Sequence, residues 1–533
     1  MIGFSDLETH TYSTYYRTQR RWGTGMTEKR SLMKHMLPTI ETLFPETLRL
    51  AHTGSLKHQV FALVTDSRRV IPGAVFFAIP GLRTNGTYFV EEAIDRGAVA
   101  VVSESDRIYP QITTIQVENI RRVVAQVARN YYGSPDNKLE LVGITGTNGK
   151  TTVSYLVQNL LNGLAGESKT GLIGTVQYDL GQRTLPSFKT TPEAIDTFAL
   201  LKQMKDAGCR RGVMEVSSHG IDQQRIFGAK FDVAVFLNLT RDHLDYHKDL
   251  ESYYQVKRRL FTGEIGTIPK VSVINLDDSY GKRLAAELSG KSRVVTFSIS
   301  NPEADLYLSE FECDHSGSRF VLEGPGGSQT VRTRLPGEYN LSNILAALAV
   351  CEGLGLNIET ILYRLNSFAG VPGRMERIPR ATDFDVFVDY AHTDDALDKA
   401  LRMLRGITRG KLIVAFGCGG NRDKDKRKSM MEVAQKHADF VCATSDNPRG
   451  ESVESILSDM KLGVSKPKEV AFIADRRVAI SHVLDIARPG DTVLIAGKGH
   501  ETMQEFKDRI VPFDDRVVAK ELLEIKQLVN RKK

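Results

Sequence analysis

An apolar run, Leu141-Val142-Gly143-Ile144-Thr145, passes directly into Gly146-Thr147-Asn148-Gly149-Lys150-Thr151-Thr152, and a helical pattern follows from Val153 to Leu161. A strand, a glycine loop and a helix start, in that order, gather backbone N–H groups and the positive end of a helix dipole around one point. That is an anion site. Lys150 is placed to neutralise the β- and γ-phosphates of a nucleotide, and Thr151 to offer its hydroxyl to Mg²⁺. The general phosphate-loop spacing has glycine where this chain has Ile144. A glycine turn before a helix also serves as a plain tight connection, but Lys-Thr-Thr at the helix start argues for phosphate.

Around this loop the chain alternates short apolar runs with helical patterns, which argues for an α/β protein built on parallel sheets. Strands are predicted at Ala74–Ile79 and Ala98–Val102, with a short helix at Val90–Arg96 between them. After the loop, strands are predicted at Gly212–Val216, Val233–Asn238 and Val271–Asn275, with a helix at Asn343–Glu352. A last set begins near Pro372-Gly373-Arg374 and has strands at Val386–Val388, Leu412–Phe416, Phe440–Ala443 and Thr492–Ala496. The 533 residues are too many for one ordinary core. The reading is an extension over 1–36 and three domains over 37–138, 139–370 and 371–533. The extension has no apolar signal core, and Met26, Met33 and Met36 are alternative starts.

The 71 basic and 65 acidic residues leave a net charge of +6, which suits an anionic substrate and does not argue for nucleic acid. No run of about 18 apolar residues occurs, so no membrane span is expected. Cys209, Cys313, Cys351, Cys418 and Cys442 form no CxxC pair. Free thiols in a reducing cytoplasm are expected.

Further motifs follow in order. They are Glu215-Val216-Ser217-Ser218-His219-Gly220, Asn238-Leu239-Thr240-Arg241-Asp242-His243-Leu244-Asp245-Tyr246-His247 and Asp389-Tyr390-Ala391-His392. Then come Gly417-Cys418-Gly419-Gly420-Asn421-Arg422-Asp423, Asp446-Asn447-Pro448-Arg449 and Gly497-Lys498-Gly499-His500-Glu501. With the phosphate loop, this series resembles the Mur ligases, from about residue 60 to 516, and within them the tripeptide-forming branch. The resemblance implies three domains: one for a UDP substrate, a central phosphate-loop ATPase domain, and a Rossmann-like domain for an amino acid. It implies ATP-dependent joining of meso-2,6-diaminopimelate to UDP-N-acetylmuramoyl-L-alanyl-D-glutamate through an acyl phosphate, by a monomer in the cytoplasm, in peptidoglycan synthesis. The alternatives are a sister ligase adding L-lysine or another amino acid, and a folylpolyglutamate synthase-like ligase.

The same resemblance assigns residues. Gly146 to Thr152, Asn275, Asn343, Arg374, Asp389 and His392 would surround ATP. Thr151, Glu215, His243 and Lys257 would hold Mg²⁺, Lys257 as a carbamate, and Lys150, His243 and Lys257 would carry the chemistry. Ser67 and Leu82, Arg83 and Thr84 would face UDP. Thr190, Thr191, Ser217, Gln223 and Arg225 would meet the muramoyl peptide. Arg422, Asp446, Asn447, Pro448, Arg449, Gly497 and Glu501 would take diaminopimelate, with Glu501 on an ammonium and Arg422 on a carboxylate. Without the resemblance, Lys257 reads as one cation on a basic helix face. Thr190 and Thr191 read as a helix cap before Pro192, and Asp446 to Arg449 as a turn.

Overall fold

The computed structural model describes residues 37–81, 84–162, 169–314, 317–379 and 383–530. The amino-terminal extension, Leu82 and Arg83 lie outside them. The chain forms two compact units, one ending at Gly133 and one beginning at Ser134.

The first unit is a five-stranded sheet of β1 (Ala51–Thr53), β2 (Ala62–Val64), β3 (Ala74–Phe77), β4 (Ala100–Ser103) and β5 (Thr113–Gln116), in the order β1-β5-β4-β3-β2. Only β1 runs antiparallel to its neighbour. Every residue of β3 and β4 is buried, which is why both read as unbroken small and apolar runs instead of alternating ones. Ser67 opens a single helical turn and donates its hydroxyl to Glu92 Oε2 at 2.6 Å. Thr84 is exposed, and Asn85 caps the next turn by accepting from Thr87 N at 3.1 Å.

The second unit carries an eleven-stranded and a six-stranded sheet. The larger contains β6 (Glu140–Thr145), β7 (Thr170–Ile173), β8 (Gln177–Asp179), β9 (Thr184–Pro186), β10 (Arg211–Glu215), β11 (Val233–Phe236), β12 (Val271–Asn275), β13 (Arg293–Ser298), β14 (Leu306–Asp314), β15 (Gly317–Glu323) and β16 (Gln329–Thr333). From β13 through β12, β11, β6 and β10 to β7 all pairings are parallel. Antiparallel arms extend both edges, β8 and β9 at one and β14 to β16 at the other. β6 lies between β10 and β11, so the loops leaving all three carboxyl ends meet. In open α/β sheets ligands bind at such a place. The Glu338–Gly353 helix covers this core with Leu341, Ile344, Leu345, Leu348 and Val350 fully buried.

The smaller sheet comprises β17 (Glu376–Arg377), β18 (Asp385–Asp389), β19 (Leu412–Cys418), β20 (Phe440–Ser445), β21 (Val470–Phe472) and β22 (Thr492–Ala496), ordered β17-β18-β22-β19-β20-β21. Separate apolar clusters cover its two faces. A hairpin, β23 (Met503–Glu505) and β24 (Ile510–Pro512), follows. β19 separates β20 from β22, so no ladder joins those two. Arg476 joins them instead, donating from Nη1 to Ser445 O at 3.0 Å and from Nη2 to Ala496 O at 2.9 Å. Asp515 neutralises it through Nε at 2.8 Å and Nη2 at 2.7 Å, with both side chains almost wholly buried.

All five cysteines are unpaired, and burial pushes the Cys351, Cys418 and Cys442 thiols up to about 12. Among the described residues no helix is long and apolar enough to cross a membrane.

Replacing Asp515 by Ala would strand a buried guanidinium, and a loss of about 3–5 kcal/mol is expected. Chemical denaturation of the full chain, followed by fluorescence and circular dichroism, would measure it. An unchanged midpoint would show that Arg476 is satisfied without Asp515.

Candidate functional site

The phosphate loop connects β6 to the Lys150–Leu161 helix. Gly149 has φ 89°, and a Cβ there would stand 2.4 Å from Asn343 Oδ1. Only glycine suits both the left-handed backbone and the close approach. The loop is pinned to the segment after β11: Thr147 N donates to Asn238 O at 3.0 Å, Asn148 N to Asn238 Oδ1 at 2.9 Å, and Thr240 N to Thr147 Oγ1 at 3.0 Å. Asp395, on the helix Asp394–Ile407, also reaches it. Its Oδ2 accepts from Asn148 Nδ2 at 2.7 Å, Thr240 Oγ1 at 3.0 Å and Lys399 Nζ at 2.8 Å. Thr240 appears in the sequence only as part of its motif, with no role, and Asp395 was not singled out.

Lys150 folds onto its own loop, donating to Gly146 O at 2.7 Å and Thr147 O at 2.9 Å. Burial lowers its pKa, while Glu215 and Asp242 pull the other way. Glu215 is fully buried at the end of β10. It accepts from Thr151 Oγ1 at 3.0 Å, Thr175 N at 2.8 Å and Thr175 Oγ1 at 2.9 Å. Arg374 donates from Nη2 to Thr151 Oγ1 at 3.1 Å and lies 4.4 Å over the Tyr390 ring.

Lys257 is almost wholly buried on the Leu250–Arg258 helix, not on a solvated face as its basic neighbours suggest. Its Nζ donates to Gly146 O at 2.9 Å and lies 4.5 Å from the Tyr253 ring centre. Burial, then the Lys150 charge, push its pKa well below the ordinary lysine value. His243 has left-handed φ 54° and lies edge-on to His219 at 4.8 Å, with Asp242 3.4 Å from Nε2. Lys150 and Lys257 are close enough to add positive potential at its ring. Of the expected cation ligands, Thr151 and Glu215 are in direct contact. Among the described residues no group of three or more His, Cys, Asp or Glu side chains is gathered to hold a metal.

Asn275 is buried, donating to Leu237 O at 2.8 Å and accepting from Asp277 N at 2.9 Å. Asp389, ending β18, accepts from Met375 N at 2.6 Å and Ala391 N at 2.8 Å, and burial raises its pKa. His392 hydrogen-bonds the Tyr390 carbonyl through Nδ1 at 2.9 Å. Thr152 is half-buried in the first turn of the loop's helix.

Thr190 and Thr191 do not cap the next helix. That helix starts at Ala194 with Glu193 in the cap position. Thr191 is instead tied to the end of β10, donating to Glu215 O at 2.9 Å and accepting from Ser217 N at 2.9 Å. Pro192 and Glu193 separate it from the helix, so its hydroxyl serves the strand end. Thr190 lies 3.0 Å from Thr175 Oγ1. Ser217 caps its own helix through Gly220 N at 3.1 Å, and Arg225 donates to Thr191 O at 2.8 Å and Gln223 Oε1 at 2.6 Å. These side chains form one network beside Glu215.

At the third sheet, Arg449 has φ 53° and donates from Nε to Glu505 Oε2 at 3.0 Å and from Nη1 to Gly420 O at 3.1 Å. A Cβ at Gly420 would come within 1.8 Å of Pro448 O. A Cβ at Gly419 would stand 3.0 Å from Arg449 Nη1 and 3.8 Å from Arg422 Cγ, so the two arginines flank that glycine. Asn447 donates to Glu501 Oε2 at 2.8 Å and accepts from buried Lys498 at 3.1 Å. Glu501 Oε2 also takes Lys498 at 3.0 Å. Glu501 thus already has an internal cation. Gln504 Nε2 holds Asp446 O at 2.6 Å, and a Cβ at Gly497 would meet Asp446 Oδ2 at 2.7 Å. Gln504 and Glu505 are contacts that the sequence did not point to, and Lys498 appears there only as part of its motif, with no role.

Three family models match the chain: "Mur ligase family, catalytic domain" over residues 60–132, "Mur ligase middle domain" over 144–351 and "Mur ligase, glutamate ligase domain" over 373–499. The UDP-N-acetylmuramoyl-L-alanyl-D-glutamate–2,6-diaminopimelate ligase of Solibacter usitatus is 44% identical over 469 residues, 87% of this chain and 94% of the relative. The enzyme of the same name from Clostridium tetani is 40% identical, over 88% of this chain and 96% of the relative. A solved structure of a ligase of that name aligns with a TM-score of 0.66 and 33% identity, covering 92% of this chain and 99% of its own.

Lys150→Ala removes the loop's cation and should weaken nucleoside triphosphate binding by about tenfold or more, measured by calorimetry. Unchanged affinity would remove the loop from the phosphate site.

Proposed function

The chain belongs to the Mur ligase family, and from that premise we propose that it joins meso-2,6-diaminopimelate to UDP-N-acetylmuramoyl-L-alanyl-D-glutamate at the expense of ATP. It is an ATP-dependent amide-forming ligase. The observation that supports the choice of amino acid is Arg449, held by Glu505 and Gly420 beside Arg422 at the mouth of the third sheet. Diaminopimelate differs from lysine by a carboxylate on its distal carbon. Arginine grips a carboxylate with two parallel N–H bonds and repels a lone ammonium. Among the described residues two of its five N–H donors are engaged by the protein, which leaves three on Nη1 and Nη2.

In this reading the substrate carboxylate takes the γ-phosphoryl group, the amine attacks the resulting acyl phosphate, and inorganic phosphate leaves. Lys150 and Arg374 offset charge on the transferring group. The network of Thr190, Thr191, Ser217, Gln223 and Arg225 receives the muramoyl peptide beside Glu215. The loops around Ser67 and Thr84 receive UDP.

The donor set fits Mg²⁺. A hydroxyl and a carboxylate stand 3.0 Å apart at Thr151 and Glu215, and this hard cation takes one or two carboxylates and leaves its other positions to phosphate and water. When bound it would neutralise phosphate charge. Lys257 fits carbamylation for a separate reason. CO₂ adds to a neutral amine, and the burial that depresses Lys257 favours that form. The product would be an anionic oxygen ligand next to His243.

Arg449→Ala should raise KM for meso-diaminopimelate about tenfold or more, the equivalent of a lost buried charge contact, with KM for the nucleotide-sugar dipeptide little changed. Equal efficiency with L-lysine in the unmodified enzyme would refute the amino-acid assignment. Lys257→Ala should be nearly inactive in a ligation assay and partly restored by added short carboxylates. Full activity without them would end the carbamate reading.

A further inference from the structure

Two reactants must meet between the larger and smaller sheets, an acyl phosphate from the nucleotide side and an amine from the other. His500 stands on that seam. It follows Gly499 in the loop after β22 and precedes Glu501. The loop is wedged against Gly373, where a Cβ would lie 2.0 Å from His500 N. The His500 ring lies 5.1 Å from Tyr390, which carries Arg374 on its face, and Arg374 reaches Thr151. The imidazole also lies close enough to the Thr175 backbone to be influenced by it, and the N–H and hydroxyl of Thr175 hold Glu215. One side chain therefore touches both halves of the site.

Among the described residues its Nδ1 is buried with no hydrogen-bond partner, so Nε2 is the ring nitrogen left to face the Thr175 backbone. Burial, reinforced by Arg374 and Arg516, pushes the imidazole down to about 3, so the ring is neutral. A neutral ring donating from Nε2 has a lone pair on Nδ1. A buried acceptor without a donor costs about 1–3 kcal/mol, so each one in a native protein calls for a partner, a ligand, an ion or ordered water among them.

We propose that His500 orients the incoming amine, its Nδ1 accepting one amine N–H so that the nitrogen lone pair faces the acyl phosphate. The assignment rests on the ligase reading above. The amine enters as the neutral base, its ammonium proton already released to water; the nitrogen then forms the new C–N bond, and the C–O bond to phosphate breaks with its electron pair on phosphate. The proton lost by nitrogen ends on phosphate, giving amide and hydrogen phosphate. His500 is never protonated in this sequence and serves as an acceptor alone.

Hydroxylamine separates this role from one in phosphoryl transfer, because it traps an acyl phosphate without a shaped amine site. His500→Phe keeps a planar ring and lacks the acceptor. With ATP and UDP-N-acetylmuramoyl-L-alanyl-D-glutamate, it should form hydroxamate within about threefold of the unmodified rate, while ligation of meso-diaminopimelate falls by about 100-fold, the scale of a misplaced reactant. His500→Asn returns an acceptor near the Nδ1 position and should recover about tenfold of that loss. Near-normal ligation by His500→Phe overturns the assignment, as does equal loss of hydroxamate and ligation in both variants. No recovery in His500→Asn also counts against it. If the unmodified protein forms no hydroxamate, the ligase reading fails and this assignment with it.

Discussion

Glu215 is a carboxylate placed where water does not reach, at the end of a central parallel strand. Burying such a charge is costly unless every lone pair direction is met. Here Thr151 supplies a hydroxyl from the phosphate-loop helix, and Thr175 supplies a backbone N–H and a hydroxyl from the turn after β7. The same strand end is held through Thr191, whose hydroxyl bridges the Glu215 carbonyl and Ser217. The phosphate loop, the network of Thr191, Ser217, Gln223 and Arg225 and, through Arg374, the third sheet are all referred to this one buried anion. Thr151 is the shared node. Its hydroxyl serves the carboxylate and accepts from Arg374, so the element that opens the helix also joins the two sheets.

A second anion, Asp395, acts on the opposite flank of the loop. One of its oxygens gathers Asn148, Thr240 and Lys399. Buried Lys257 closes the loop from below by donating to Gly146 O. The loop is thus fixed by side chains from distant parts of the chain, and its geometry does not depend on its own glycines alone. Sheet order explains why these groups can converge. β10, β6 and β11 are adjacent and parallel, so their carboxyl ends and the loops that leave them share one edge.

Much of this was legible in the amino-acid order, for identifiable reasons. Strands buried on both faces have to be apolar throughout, and Val271–Asn275 and Thr492–Ala496 were read with the bounds the structure has. Others, such as β20, were read short because polar Thr444 and Ser445 extend the strand past its apolar part. The antiparallel arm from Leu306 to Thr333 went unread because much of β14 faces solvent and carries polar residues that interrupt any pattern. Site contacts failed for a different reason. Asn148 and Asp395 are 247 positions apart, and no local spacing signals such a pairing. The resemblance places Glu501 on an ammonium, and the spacing gave no sign that Lys498, three residues earlier, also meets that carboxylate. Thr191 looked like a cap because Pro192 follows it, while the helix begins two residues beyond that proline.

Arg476 also bears on how the third sheet presents its loops. β20 ends at Ser445, directly before Asp446 to Arg449, and β22 ends at Ala496, directly before Gly497 to Glu501. With β19 between them, no ladder joins the two strand ends directly, and beyond them their loops meet through Asn447, Lys498 and Glu501. The buried guanidinium and its Asp515 counter-ion turn them into one frame. Two loops on a common frame have fewer independent arrangements than two on separate strands. The entropy lost in bringing them into register is therefore settled when the chain folds, and it does not recur each time an amino acid arrives.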